Sequence, residues 1–175
     1  MHIPKFKEFI SEDKDEKLFC KILIITDEPE EAKTFHTADR LKQEAEKLKL
    51  PYYLYKLTGG YITFEDNIRR LHNKKDPKGF EITSDTVAVI RGSITRKDSW
   101  MDIVSTLEKD GICVVNSRQC ISMCADKYRT YLKLADYSIN QPKTALITDP
   151  EKSKEAFEKL DTKYPIILKT LRGSK

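Results

Sequence analysis

One run of the chain, Phe19-Cys20-Lys21-Ile22-Leu23-Ile24-Ile25-Thr26, constrains the fold more than any other. It is almost continuously apolar rather than alternating, which is the pattern of a strand buried on both faces in a parallel sheet. From Glu30 to Leu50 the apolar residues Ala32, Phe35, Ala38, Leu41, Ala45 and Leu48 recur at three- and four-residue steps, predicting a helix that Pro51 stops. Tyr52 to Leu57 reads as the next strand and closes a βαβ unit. The turn at Gly59-Gly60 leads into Tyr61-Ile62-Thr63-Phe64, then a short helix around 67–73 and a polar loop to Gly79. Thr86 to Ile90 and Ile112 to Val115 read as two further buried strands, separated by a helix over 98–109 that ends at Asp110-Gly111. Asn116-Ser117 caps another helix, through Cys124. Four strands in about one hundred residues follow βαβ logic.

Arg91 closes the third of these strands and is followed by Gly92-Ser93. In open α/β sheets ligands bind at the carboxyl ends of the strands, so Arg91 and Ser93 are candidate substrate contacts, with Arg91 the candidate catalytic residue. Pairing of Arg91 with a nearby carboxylate such as Asp98 is an equally open reading.

Beyond Asp126 the chain continues with a helix to Tyr137, its Tyr128, Tyr131, Leu132 and Ala135 expected inward, and with Lys127 set against the helix dipole in the first turn. A strand over 143–148 and a helix from Asp149-Pro150 to Leu160 follow. The last run, Pro165-Ile166-Ile167-Leu168-Lys169-Thr170-Leu171-Arg172-Gly173-Ser174-Lys175, is an apolar strand that opens into a polar glycine turn. Ile167, Lys169 and Leu171 share a face, and no acidic residue lies in the run to meet the lysine. An external anion is one partner for Lys169, and snorkelling to solvent is the other reading. Gly173, Ser174 and Lys175 supply the turn and donors that suit a phosphate.

Composition excludes several classes. The 32 basic and 28 acidic residues are interspersed and leave +4, too weak a bias to argue for nucleic acid. No apolar run reaches the roughly 20 residues of a membrane span, and Met1 to Ser11 lacks a secretory core, so no membrane partner and a cytoplasmic location are expected. Cys20, Cys113, Cys120 and Cys124 are read as reduced core thiols. Residues 1–17 look like an appended arm.

The residues Val115-Asn116-Ser117, Cys124-Ala125-Asp126-Lys127, Leu132 to Ala135, Ile139, Pro142-Lys143-Thr144 and Pro165 to Ser174 together resemble the ATP-grasp ligases, closest to the RimK-like branch. The resemblance runs from 115 to 175. The segment 19–114 is similar to the domain that precedes the ATP-grasp domain. The expected fold class is therefore α/β, with an arm over 1–17, a Rossmann-like, mainly parallel pre-ATP-grasp domain over 18–116 and the start of an ATP-grasp domain over 117–175. By resemblance, Lys127 and Lys169 hold the ATP phosphates, and Gly173, Ser174 and Lys175 open the glycine-rich loop over the triphosphate.

Such ligases phosphorylate a carboxylate with ATP and Mg2+ and let an amine attack the acylphosphate. The resemblance thus implies amide formation, with glutamate or another amino acid added to a peptide or protein end. It implies activity for a full-length protein rather than for this stretch alone, with metal ligands expected past residue 175. Homo-oligomer formation is left open. Two other classes stand beside it. Lys21 to Glu28 is similar to the first strand of receiver-type signalling domains, although Val87 to Ile90 ends in Arg91 where a receiver needs Asp. A non-catalytic nucleotide- or partner-binding module built on a truncated ATP-grasp scaffold is the other.

Overall fold

A computed structural model describes residues 20–27, 37–74, 76, 78–161, 163 and 165–173. The arm expected over 1–17 and the first part of the helix expected from Glu30 lie outside them. In chain order the elements are β1 (Lys21–Thr26), α1 (Thr37–Lys47), β2 (Tyr52–Lys56), β3 (Tyr61–Glu65), β4 (Ile68–His72), β5 (Phe80–Glu81), β6 (Thr86–Arg91), α2 (Asp98–Lys109), β7 (Cys113–Val115), α3 (Arg118–Cys124), α4 (Lys127–Asp136) and α5 (Ser153–Lys159). They divide into two compact units, one ending at Val115 and the other starting at Asn116.

The first unit is built on a four-stranded parallel sheet in the order β2-β1-β6-β7. The apolar run in β1 explains its central place: Leu23, Ile24 and Ile25 are wholly buried, as only a strand covered on both faces can be. On β6, Thr86, Ala88 and Ile90 are buried. Helix α2 turns Trp100, Met101, Val104 and Leu107 inward at three- and four-residue steps, and α1 buries Ala38 and Ala45. The strand expected at Ile112 to Val115 forms but lies at the sheet edge. Ile112 is buried, whereas Cys113 and Val115 are exposed.

A second sheet, antiparallel in the order β3-β4-β5, corrects the helix expected around 67–73. Asp66 and Asn67 take φ of 50° and 61°, so they form a two-residue turn with both central residues left-handed, and Ile68–His72 returns as a strand. Such turns match the twist of paired strands, and Asp and Asn tolerate that conformation. Across the pair, the Tyr61 and His72 rings stack at 4.6 Å, the Thr63 hydroxyl is 2.9 Å from His72 Nε2, and the Arg69 guanidinium lies over the Phe64 ring.

Just past β4, Asn73 closes the outer edge of β2. Its side-chain amide donates to the Leu54 carbonyl at 2.7 Å, and its oxygen accepts from the Lys56 N–H at 2.9 Å. The Tyr53 hydroxyl donates to Asp76 at 2.9 Å, and burial, followed by that hydrogen bond, pushes its pKa up to about 12.

In the second unit the starts of α3 and α4, and of the 3-10 turn before α5, carry side-chain caps. Ser117 accepts from the Cys120 N–H, Asp126 from Tyr128 and Arg129, and Asp149 from Glu151 at a 3-10 turn before α5. Three expectations are overturned. No residue of α4 is buried, so Leu132 and Ala135 do not face inward as a packed stripe. Neither 143–148 nor 165–171 is a strand, because neither run exchanges a ladder of backbone hydrogen bonds with a neighbour among the described residues. Cys120 and Cys124 are free but exposed, not core thiols. Ile167 and Leu168 are about four-fifths exposed, at 79% and 80%.

Candidate functional site

Two places gather chemistry, one in each unit. In the first unit, β1 and β6 run side by side with Thr26 paired to Arg91, so their carboxyl ends fall together. Asp27 follows β1 and has only 8% of its side chain exposed. Its Oδ1 accepts the Ser93 N–H at 2.9 Å, and its Oδ2 lies 3.8 Å from Arg96. Gly92, between Arg91 and Ser93, holds φ at 95°, and a Cβ there would overlap the Asp27 carboxylate. Arg91 is exposed, and among the described residues no carboxylate pairs with it, Asp98 included. Asp27 was not singled out as a site residue from the sequence. An acid placed directly after a buried strand, with a Gly-Ser pair after the neighbouring strand, was the available signal.

In the second unit, the start of α4 meets the turn at 171–173. The Lys127 N–H donates to the Leu171 carbonyl at 3.0 Å, and Lys127 Nζ donates to the Gly173 carbonyl, also at 3.0 Å. A cation in the first turn of a helix is unfavourable by tenths of a kcal/mol, and here the carbonyl partner offsets it. Asp126 accepts the Tyr128 and Arg129 N–H groups at 3.1 and 3.0 Å, with Arg129 Nε and Arg172 Nε at 3.9 and 3.6 Å from its Oδ2. The Arg129 and Tyr128 backbone bonds, then the Arg129 and Arg172 charges, hold its carboxyl below the usual range.

Gly173 takes φ of 102° with open space where a Cβ would stand. The predicted residues Lys127 and Gly173 are thus brought together. Lys169 is exposed, and among the described residues none pairs with its ammonium. Ser174 and Lys175 lie outside the described residues. Arg129 and Arg172 were missed by sequence reasoning, since their value lies in proximity to Asp126 rather than in spacing. The cationic groups at one helix start, beside an open positive-φ turn, suit a polyanionic ligand such as a nucleotide triphosphate. Among the described residues no three His, Cys, Asp or Glu side chains stand together.

Comparison with known proteins bears on the same segment. Residues 124–175 match the RimK-like ATP-grasp domain. The chain is also similar, at 32% identity over 71 residues, to a coenzyme gamma-F420-2:alpha-L-glutamate ligase from Methanocaldococcus jannaschii. That match covers 41% of this chain and about a quarter (24%) of the relative's length.

Proposed function

With residues 124–175 belonging to the RimK-like ATP-grasp family, we propose that this chain carries part of the nucleotide site of an ATP-dependent carboxylate–amine ligase. The observation that supports this most directly is the meeting of Lys127 with the Gly173 turn at the start of α4. Lys127 and Lys169 would bind ATP phosphate oxygens, and Gly173, Ser174 and Lys175 would cover the triphosphate. Arg129 and Arg172 add positive potential, while Asp126 fixes the helix start and keeps both arginines near it.

In the proposed reaction a substrate carboxylate oxygen attacks the γ-phosphorus and ADP leaves. An amine then attacks the acylphosphate carbon, phosphate departs and the nitrogen loses a proton, giving the amide. Cations placed at the phosphates stabilise charge as it shifts toward the leaving group. Mg2+ would neutralise part of the triphosphate. The first unit serves as the pre-ATP-grasp domain, and Arg91 and Ser93 at its strand edge are the substrate-carboxylate contacts. An amino acid, glutamate among them, is the proposed amine.

Calorimetric titration with Mg-ATP tests this on the chain and on any longer gene product that contains it. Lys127→Ala and Lys169→Ala should each weaken nucleotide binding by about tenfold, the loss of one charge-assisted hydrogen bond, with circular dichroism unchanged. Unchanged affinity in both variants refutes the assignment.

A further inference from the structure

We propose that the outer edge of β3 is a self-pairing surface, on which two copies of this chain join β3 to β3, antiparallel, about a two-fold axis through Thr63. β3 pairs with β4 alone and ends its sheet. Among the described residues no backbone group outside β4 bonds to it. β2, the edge strand of the other sheet, has its edge occupied by the Asn73 amide. Among the described residues β3 has no such cover, and it lacks most of the devices that discourage edge pairing: it holds no Pro and no Lys, its one charge is Glu65 beside the turn, and it pairs residue for residue with β4, without a bulge.

The register follows from the turn. A two-residue turn closed by the pair Glu65 and Ile68 aims the peptide groups of 65, 63 and 61 at β4, leaving the N–H and C=O of Ile62 and Phe64 outward. The Arg69 carbonyl on β4 accepts from Ile82 on the far side, as the same alternation requires. A two-fold axis through Thr63 sets Ile62 opposite Phe64 of the second copy, and Phe64 opposite its Ile62. Both are then hydrogen-bonded pairs that use every outward group.

Side chains agree with this register. Ile62 and Phe64 from both copies gather on one face, where Phe64 is now 63% exposed. On the other face Tyr61, 53% exposed, meets Glu65, so the strand's one charge faces a hydroxyl rather than its own copy. The strand is its own complement under a two-fold axis, which argues for a second copy over a foreign strand. Five residues a side fall below a standard interface of roughly 1,600 Å2, so association is weak and reversible.

Sedimentation velocity on the chain over roughly 10 to 500 micromolar should show a dimer fraction that rises with concentration. Phe64→Pro removes an outward N–H without touching the β4 ladder, and should weaken dimerisation by about tenfold or more. A wild-type chain that stays monomeric overturns the proposal and leaves the edge to a foreign strand, as does a Phe64→Pro dimer of undiminished affinity.

If Phe64→Pro fails to fold, cross-linking decides, with Cys113, Cys120 and Cys124 replaced by Ser. Residues facing each other in a non-hydrogen-bonded antiparallel pair have Cα atoms about 4.5 Å apart, within disulfide range, so Thr63→Cys should form a covalent dimer under mild oxidation. Glu65→Cys copies would sit four residues apart along the strand, roughly 13 Å, and should cross-link at least tenfold more slowly. Equal rates overturn the register and the two-fold.

Discussion

Replacing Gly92 by Ala tests how the strand edge is held. At φ of 95° an alanine bears a backbone cost of about 1 to 2 kcal/mol, partly offset by the lower entropy of the unfolded chain. Gly111 supplies the control: its φ is 75°, and nothing lies within 4 Å of an added Cβ. Gly111→Ala should therefore cost only the backbone part, about 1 kcal/mol. At Gly92 the new methyl also displaces the Asp27 carboxylate and breaks its bond from the Ser93 N–H, a charge-assisted hydrogen bond worth about 1.5 to 3 kcal/mol. The difference between the two variants should be about 2 kcal/mol.

Urea unfolding followed by fluorescence reads it, because the single tryptophan, Trp100, is buried in the same unit. With Asp27→Ala in the background the methyl meets no carboxylate, and the difference should fall below about 0.5 kcal/mol. Equal costs at the two glycines, or a difference that survives loss of Asp27, would refute the reasoning.

Leu107→Ala, which empties a wholly buried position on α2, should destabilise the first unit by about 2 to 5 kcal/mol in the same assay. Spectrophotometric titration of the eight tyrosines should resolve two, Tyr53 and Tyr55, that ionise only near about 12, because burial disfavours both phenolates; Tyr53→Phe and Tyr55→Phe should each remove one late proton. Asp126 has its carboxyl pKa depressed on folding, so its stabilising contribution is complete above the ordinary Asp range and is lost as pH falls through the lower folded value. Asp126→Asn keeps the helix cap but not the charge, and should shrink the stability difference between about pH 7 and about pH 3 measured by denaturant unfolding.

Where burial alone decides an element, the sequence sufficed. The apolar run of β1, the 98–109 stripe and the cap at Ser117 all appear where pattern and cap chemistry put them. Where a partner decides, it did not. Ile68-Arg69-Arg70-Leu71-His72 has too short a pattern to tell a helix from a strand by periodicity, and the Asp66-Asn67 turn settles it. The runs 143–148 and 165–171 have strand composition but no ladder among the described residues, since composition cannot supply a neighbouring strand. At the candidate site, Lys127 stood out because its charge opposes the helix dipole. Asp27, Arg129 and Arg172 did not, because each matters through a contact distant in sequence or through a shared carboxylate.

The two bonds from Lys127 to the 171–173 turn differ in kind. The backbone bond to Leu171 is made whatever the side chain does, whereas the bond to the Gly173 carbonyl is spent as soon as the ammonium turns to another acceptor. The first acts as a fulcrum and the second as a latch. An anion that recruits Lys127 must first outcompete the turn's own carbonyl, a toll of about 1 kcal/mol, or roughly fivefold in affinity. In return, the glycine is released to swing about Leu171, so capture of the anion and freeing of the loop become a single event.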